Sequence, residues 1–363
     1  MRADTVVFVQ GGKKNEEKFP WMFFHLDPFK DPTPEPVDLV FFDYPAGKLK
    51  IWHDHVLKRG KAPDAAPDEE SDLAPKVKIR LADGTVDDAG PERPSVLAFY
   101  NWVKDKALYE SIRSLQIFSH GWQGGPIIWN SSEFDPDGNK LRVFDGKDRD
   151  PHDTDFRIRD FDGNNPLAGA EGAKFSLKFA PDALIKLWGC VAPDGVRGAM
   201  QRYMKAPKGK AGDATRKAHL EDYLDSIDST FQMEMARRLD LPVWASPAGY
   251  GSDPHTTIPT NAGDLKVKYQ GTFPPDLKKD QWWRVSWFFR NQDQGVKFYT
   301  DVLKARVDPV DYVEHKKSWF EEAKRNASLI GVDRGLIDAP HQLQEELNER
   351  IRERMEAIPR WMI

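Results

Sequence analysis

Unbroken apolar runs closed by glycine or proline mark the first half of the chain. "TVVFVQGG" (5–12) and "VDLVFFDYP" (37–45) are short and rich in β-branched and aromatic residues, and they predict buried strands. The period then changes. In "PSVLAFYNWVKDKALYESIRS" (94–114) the positions Val96, Leu97, Tyr100, Val103, Ala107, Leu108 and Ile112 recur at helical spacing. "SLQIFSH" (114–120) follows as a strand, and "DALIKLWGC" (182–190) is a further apolar run ending at Gly189 and Cys190. Beyond it, 212–240 predicts a helix, "LPVWASPAGYG" (241–251) a strand and turn, and "QWWRVSWFFR" (281–290) a late strand. The tail, 341–362, has the pattern of an amphipathic, charge-laced helix.

Two polar stretches interrupt this order. "KRGKAPDAAPDEESDLAPK" (58–76) is charged and rich in Pro and Ala, and predicts a flexible surface loop. An acidic, glycine-containing insertion spans about 131–180, with "EFDPDGNKLRVFDGKDRDPHDTDFRIRDFDGNNP" (133–166) at its centre. Its density of Asp, Gly and Asn predicts an exposed segment that controls access to the strand ends. Strands alternating with helices predict an α/β fold with a mostly parallel central sheet and helices on both faces. In such sheets the sites lie at the carboxyl ends of strands, where both His120 and Cys190 fall.

Composition narrows the classes of function. The 363 residues, 39% of them hydrophobic and with 12 Trp, can fill a substantial core. A net charge of -5 provides no global basic field for nucleic acid or anionic lipid. No stretch approaches the roughly 20 apolar residues of a membrane span. The aromatic, basic "WWRVSWFFR" is explained by an alternating core strand without nucleic acid. The opening "MRADTVVFVQGGKK" has too short an apolar run for a secretory signal. The expectation is therefore a cytoplasmic protein, or one delivered from the cytoplasm without a signal peptide. The single cysteine excludes an intrachain disulfide.

Cys190 and His120 can form a nucleophile–base pair, because the thiolate is the reactive form and a nearby imidazole favours it. Topping two adjacent parallel strands would bring them within reach. Acyl transfer also needs oxyanion donors, which the backbone N–H groups of Gly121 and Cys190 can supply, while Gly189 lets substrate backbone approach the sulfur. The plain alternative is an inert core cysteine and a histidine that closes a strand.

These residues carry a resemblance. "SLQIFSHGW" and "ALIKLWGC" resemble the two halves of the caspase–hemoglobinase group of cysteine peptidases, which place His-Gly after one strand and Cys after the next. The nearest likeness is to bacterial members with a Gly-Cys ending, such as self-cleaving toxin domains, and "RRLDLPVWASPAGYG" is similar to the helix and strand that follow. The resemblance implies a caspase-like three-layer sandwich over 1–300, with C-terminal helices over 301–363 packed on it. It implies a cysteine endopeptidase, in a bacterial effector or toxin setting, acting on a protein or peptide. His120, Cys190, Gly121 and Gly189 are the catalytic candidates; Trp188, Trp122, Asp194 and Asp253 are the substrate-binding ones. Relatives that cut after Lys or Arg carry an Asp where this chain has Trp188, so an apolar or small residue, Leu foremost, is expected before the scissile bond.

Other chemistries are compatible with parts of the chain. A catalytically inactive caspase-like interaction module stays open. So does a lipase or esterase, because "SHGWQGG" resembles a His-Gly-Gly oxyanion segment, although no Gly-x-Ser-x-Gly elbow is present. "WHDH" (52–55) puts His53 and His55 on one strand face, read as a polar face rather than a metal site. Asp135, Asp137 and Asn139 around Gly138 suggest a calcium loop but lack the closing Glu, and a hairpin turn is expected. No cofactor is expected, calcium being the one exception kept open. Asp43 is a candidate for orienting His120.

Overall fold

The computed structural model describes residues 4–12, 20–21, 35–58, 61–122, 124–135, 137–141, 147–188 and 230–245, with short pieces at 286–288 and 327–328 and single positions 202, 215 and 218. The chain divides into two compact units, Met1–Gly189 and Cys190–Ile363.

The first unit is α/β and is built on a six-stranded mixed sheet. Its strands are β1 (Thr5–Gln10), β2 (Pro36–Asp43), β3 (Lys48–Val56), β4 (Glu69–Asp72), β7 (Ile112–Phe118) and β10 (Phe179–Trp188), while β5 (Lys76–Val77) and β6 (Arg93–Pro94) form a separate antiparallel pair. The order is β10-β7-β1-β2-β3-β4. Neighbours from β10 to β2 run parallel, and β3 and β4 are antiparallel additions. The expected parallel sheet is therefore its central part. Its strands carry near-continuous apolar runs because both faces are buried.

One face packs under α1 (Leu97–Asp105) and α2 (Gly169–Ser176). Phe42 meets Phe99 edge-on at 5.3 Å, and Phe99 in turn touches Phe156 and Phe175. The helical apolar stripe ends sooner than its period suggests. After Asp105 the chain leaves the helix, so Leu108 lies in a turn and is exposed, and Ile112 begins β7. On the opposite face Phe8, Phe41, Phe118 and Trp21 pack together.

Two polar stretches depart from expectation. Within 58–76 the acidic run Glu69–Asp72 forms β4, an edge strand opposite β3, with Lys48 pairing to Glu70 and Asp72. An edge strand is where an all-polar sequence is tolerated, since one side of it stays in water. The second departure is larger. Two parts of 131–167 are buried, 133–135 and 153–161, with Glu133, Asp153, Asp155, Phe156, Arg157, Arg159, Asp160 and Phe161 among them, while the turn at 137–140 is exposed. The insertion is part of the core, not an exposed cover.

The second unit is described in parts. Helix α3 (Phe231–Leu239) starts at Thr230, whose hydroxyl accepts from the Met233 N–H, and ends at Asp240 with φ 57°. It leads into β11 (Val243–Ala245), which pairs antiparallel with β12 (Ser286–Phe288); β12 runs parallel to β13 (Ala327–Ser328). The helix and strands expected in 212–251 and 281–290 are thus seen where the chain is described. The boundary expected at 300 and the tail helix at 341–362 lie outside the described residues. No helix among the described residues is long and apolar enough to cross a membrane.

Candidate functional site

The strand order reverses at β1, which has β2 on one side and β7 on the other. The carboxyl ends of β1 and β7 therefore form a topological switch point, the place where open α/β sheets usually present their sites. His120 lies there. It opens a tight hairpin of β8 (His120–Trp122) and β9 (Gly125–Ile127) and is exposed.

β7 and β10 end level with each other. Phe118 pairs with Trp188, their rings are stacked at 5.8 Å, and the Ser119 N–H donates to the Trp188 carbonyl at 3.1 Å. Each candidate, His120 and Cys190, follows a member of this matched pair by two positions. Gly189, Cys190, Asp194 and Asp253, and the Trp122 side chain, lie outside the described residues. Trp188 is buried, and its indole N–H donates to Gln116 Oε1 at 3.0 Å, so its ring is held by the core.

In the hairpin, Gly121 sits opposite Pro126. Proline has no N–H, and the Pro126 carbonyl accepts from Phe156 outside the hairpin at 3.2 Å. Such a pair belongs to the non-hydrogen-bonded class of an antiparallel ladder, so the Gly121 N–H is directed out of the hairpin.

The end of β1 wedges this hairpin in place. The Gly11 N–H donates to the Phe118 carbonyl, and the Gly12 N–H to that of Ile128. A Cβ on Gly11 would stand 2.7 Å from the Ile127 carbonyl oxygen and 2.9 Å from Ile128 Cδ1. Gly11→Ala should therefore cost about 1–3 kcal/mol by overpacking against backbone. A urea titration checks this, and an unshifted midpoint would speak against the wedge.

Two sequence candidates are used elsewhere. Asp43, expected to orient His120, is buried at the end of β2, accepts from the Ala46 N–H, and is paired with Lys50 at 2.8 Å. It serves the β2–β3 turn, where the ammonium of Lys50 on β3 engages its carboxylate. His53 and His55 do not share a face. Val37 pairs with His55 and Leu39 with Trp52, leaving His53 and Asp54 opposite Asp38, and this bulge with Asp54 at φ 47° reverses the alternation. His53 faces Glu69 and Asp38, which raise its pKa, while His55 tilts against Trp52.

The Asp135 segment forms the expected turn: Phe134 bridges Lys140, and Asp135 Oδ1 accepts the N–H groups of Asp137 and Asn139. Lys147 is paired with the same carboxylate and, foremost among its partners, draws its pKa down to about 2. Among the described residues no group of three or more His, Cys, Asp or Glu is arranged to hold a metal ion.

The sequence reading missed a buried ionic network beside the hairpin. Arg157 grips Asp153 with Nε and Nη2, both at 2.8 Å, and donates to the Ser131 carbonyl. Arg149 reaches Asp160 at 2.5 Å and the Asp155 carbonyl at 2.6 Å, and Tyr100 donates to Asp160 at 2.7 Å. Glu133 lies between Arg157 at 3.3 Å and Arg159 at 3.0 Å. Burial works to raise the Asp153 carboxyl, but Arg149 and Arg157 outweigh it and hold it below the usual range. The signal was present: in "DTDFRIRD" (153–160) Arg and Asp are interleaved with Phe156 and Ile158, a pattern fit for paired burial.

Three guanidiniums face four carboxylates here, so one retained proton balances the charge. Glu133 is its best seat, since burial and the Asp153 charge push it up to about 8 against the pull of Arg157 and Arg159. A carboxyl raised on folding favours the folded state most at low pH. Its contribution declines as pH rises from the ordinary 4.5 toward about 8. Glu133→Gln, which fixes the neutral form, should flatten the fall in urea midpoint across that window. An identical pH slope in both proteins would contradict this.

Lys186, two residues before the end of β10, is a further buried charge that the sequence pattern did not mark. It is fully buried, its Nζ stands 4.5 Å from the Trp188 ring centre, and burial drives its pKa well below the usual lysine value.

No family model, no curated protein and no solved structure matches the chain.

Proposed function

We propose that this chain is a cysteine endopeptidase with a caspase-like three-layer sandwich, in which Cys190 is the nucleophile and His120 the base. One observation carries the reading: β7 and β10 are adjacent, parallel and in register at Phe118 and Trp188, and each candidate follows two residues later. The switch-point position and the outward Gly121 N–H support it further.

In the proposed cycle His120 takes the thiol proton and the thiolate attacks the peptide carbonyl carbon. The Gly121 and Cys190 N–H groups receive the oxyanion, and His120 returns the proton to the leaving amine. Water then attacks the thioester carbonyl carbon while His120 takes its proton; the C–S bond breaks, His120 returns that proton to the sulfur, and the carboxylic acid product leaves. Gly189 gives the substrate backbone room beside the sulfur, and Trp122, Asp194 and Asp253 are the proposed substrate contacts. A peptide library incubated with the wild type and with Cys190→Ala tests this. Cleavage by the wild type alone is expected; cleavage by both, or by neither, contradicts the proposal.

A further inference from the structure

We infer that Asp155 is a positioning residue for His120, acting through the backbone of the hairpin that presents it. The hairpin leads directly into residues 128–131, and one carboxylate gathers the N–H groups of all four. Asp155 Oδ1 accepts from Ile128 and Trp129, both at 2.7 Å, and from Asn130 at 3.2 Å, while Oδ2 accepts from Ser131 at 2.9 Å. Four successive donors converging on one anion form a nest, filled here by the protein's own carboxylate. Asn130 adopts φ 61°, which lets the chain curl around the carboxylate.

The segment after Asp155 completes the hold. Phe156 donates to the Pro126 carbonyl at 3.2 Å and Ile158 to that of Gly124 at 3.0 Å, so 156–158 lies along β9 as a third strand-like support. The carboxylate is itself fixed, being 1% exposed and ion-paired with Arg157 at 3.4 Å. The hairpin is thus held through β9 and Ile128 by hydrogen bonds with Gly12, with Asp155 and with Phe156 and Ile158. His120 and Gly121 lie on the strand of that hairpin paired to β9, so their backbone position depends on how β9 is held. The insertion's role is to build the platform for the candidate base. This inference rests on the peptidase reading for its consequence, but the anchoring itself is measurable without it.

The experiment follows amide hydrogen exchange and Cys190 alkylation by iodoacetamide in the full chain, for the wild type, Asp155→Asn and Asp155→Glu. Asparagine keeps one acceptor and removes the charge; glutamate keeps the charge and displaces it by one methylene. The expected result is faster exchange at 120–131 by about tenfold or more, with Val7 and Val40 still protected. Alkylation of Cys190 should fall toward the rate of His120→Ala. Unchanged exchange at 120–131 in a folded variant overturns the positioning role. Exchange that rises in the variants while wild-type Cys190 alkylates like an ordinary thiol supports the clamp and refutes the peptidase reading. Should neither variant keep Val7 and Val40 protected, the wild type decides. Amides of 128–131 that exchange as slowly as those of β1 support the clamp, and freely exchanging ones overturn it.

Discussion

Arg157→Ala will destabilise the fold by about 3–5 kcal/mol, the scale for breaking a buried ion pair from one side. The side chain is 3% exposed, and it meets Asp153, Asp155 and Glu133 with its guanidinium and the Ser131 carbonyl with a hydrogen bond. Removing it leaves carboxylates buried without their main counter-charge, and water has no ready path to them. Arg157→Lys should recover only part of the loss, since an ammonium cannot reproduce the two-point grip on Asp153. An exposed pair is the control: Lys61 and Asp64 lie 2.6 Å apart in solvent, and Lys61→Ala should leave the urea midpoint essentially unmoved. Equal effects at the two positions would contradict the account of 131–167 as an internal framework.

The second large effect concerns activity. Cys190→Ala and His120→Ala should each lower peptide cleavage on the order of 10³-fold or more, and the double variant should be no worse than either single one. His120 is exposed at the head of β8, so its removal should leave the circular dichroism spectrum and the urea midpoint intact. Losses that multiply in the double variant would indicate two independent roles rather than one unit.

The sheet was largely legible because burial on both faces writes itself into local sequence. Runs such as Thr5–Gln10 and Leu184–Trp188 have few other uses. The level ends of β7 and β10 followed from them. What could not be read was pairing across distance. Asp155 looks like one more acidic residue in a polar stretch until the N–H groups of 128–131 are brought to it, more than twenty positions back along the chain. For Arg157 and Arg159 the interleaved "DTDFRIRD" signals burial, but their partner Glu133 lies in a different stretch of chain and is not visible from it.

Local geometry misled for a different reason. The residue at φ 47°, Asp54, inverts the strand alternation, so two histidines that a regular strand would align are separated. Asp43 likewise turned out to be engaged by Lys50, a pairing that its position at a strand end does not reveal.

The dyad itself is tested most directly by the pH profile of Cys190 alkylation with iodoacetamide, in the wild type and in His120→Ala. The chain has one cysteine, so the whole signal comes from the proposed nucleophile. A thiol paired with His120 should react with an inflection well below the free-thiol value of about 8.5, and loss of the imidazole should return the inflection to about that value. Superimposable profiles in the two proteins, both turning at the free-thiol value, would contradict the assignment of Cys190 and His120 as a catalytic pair.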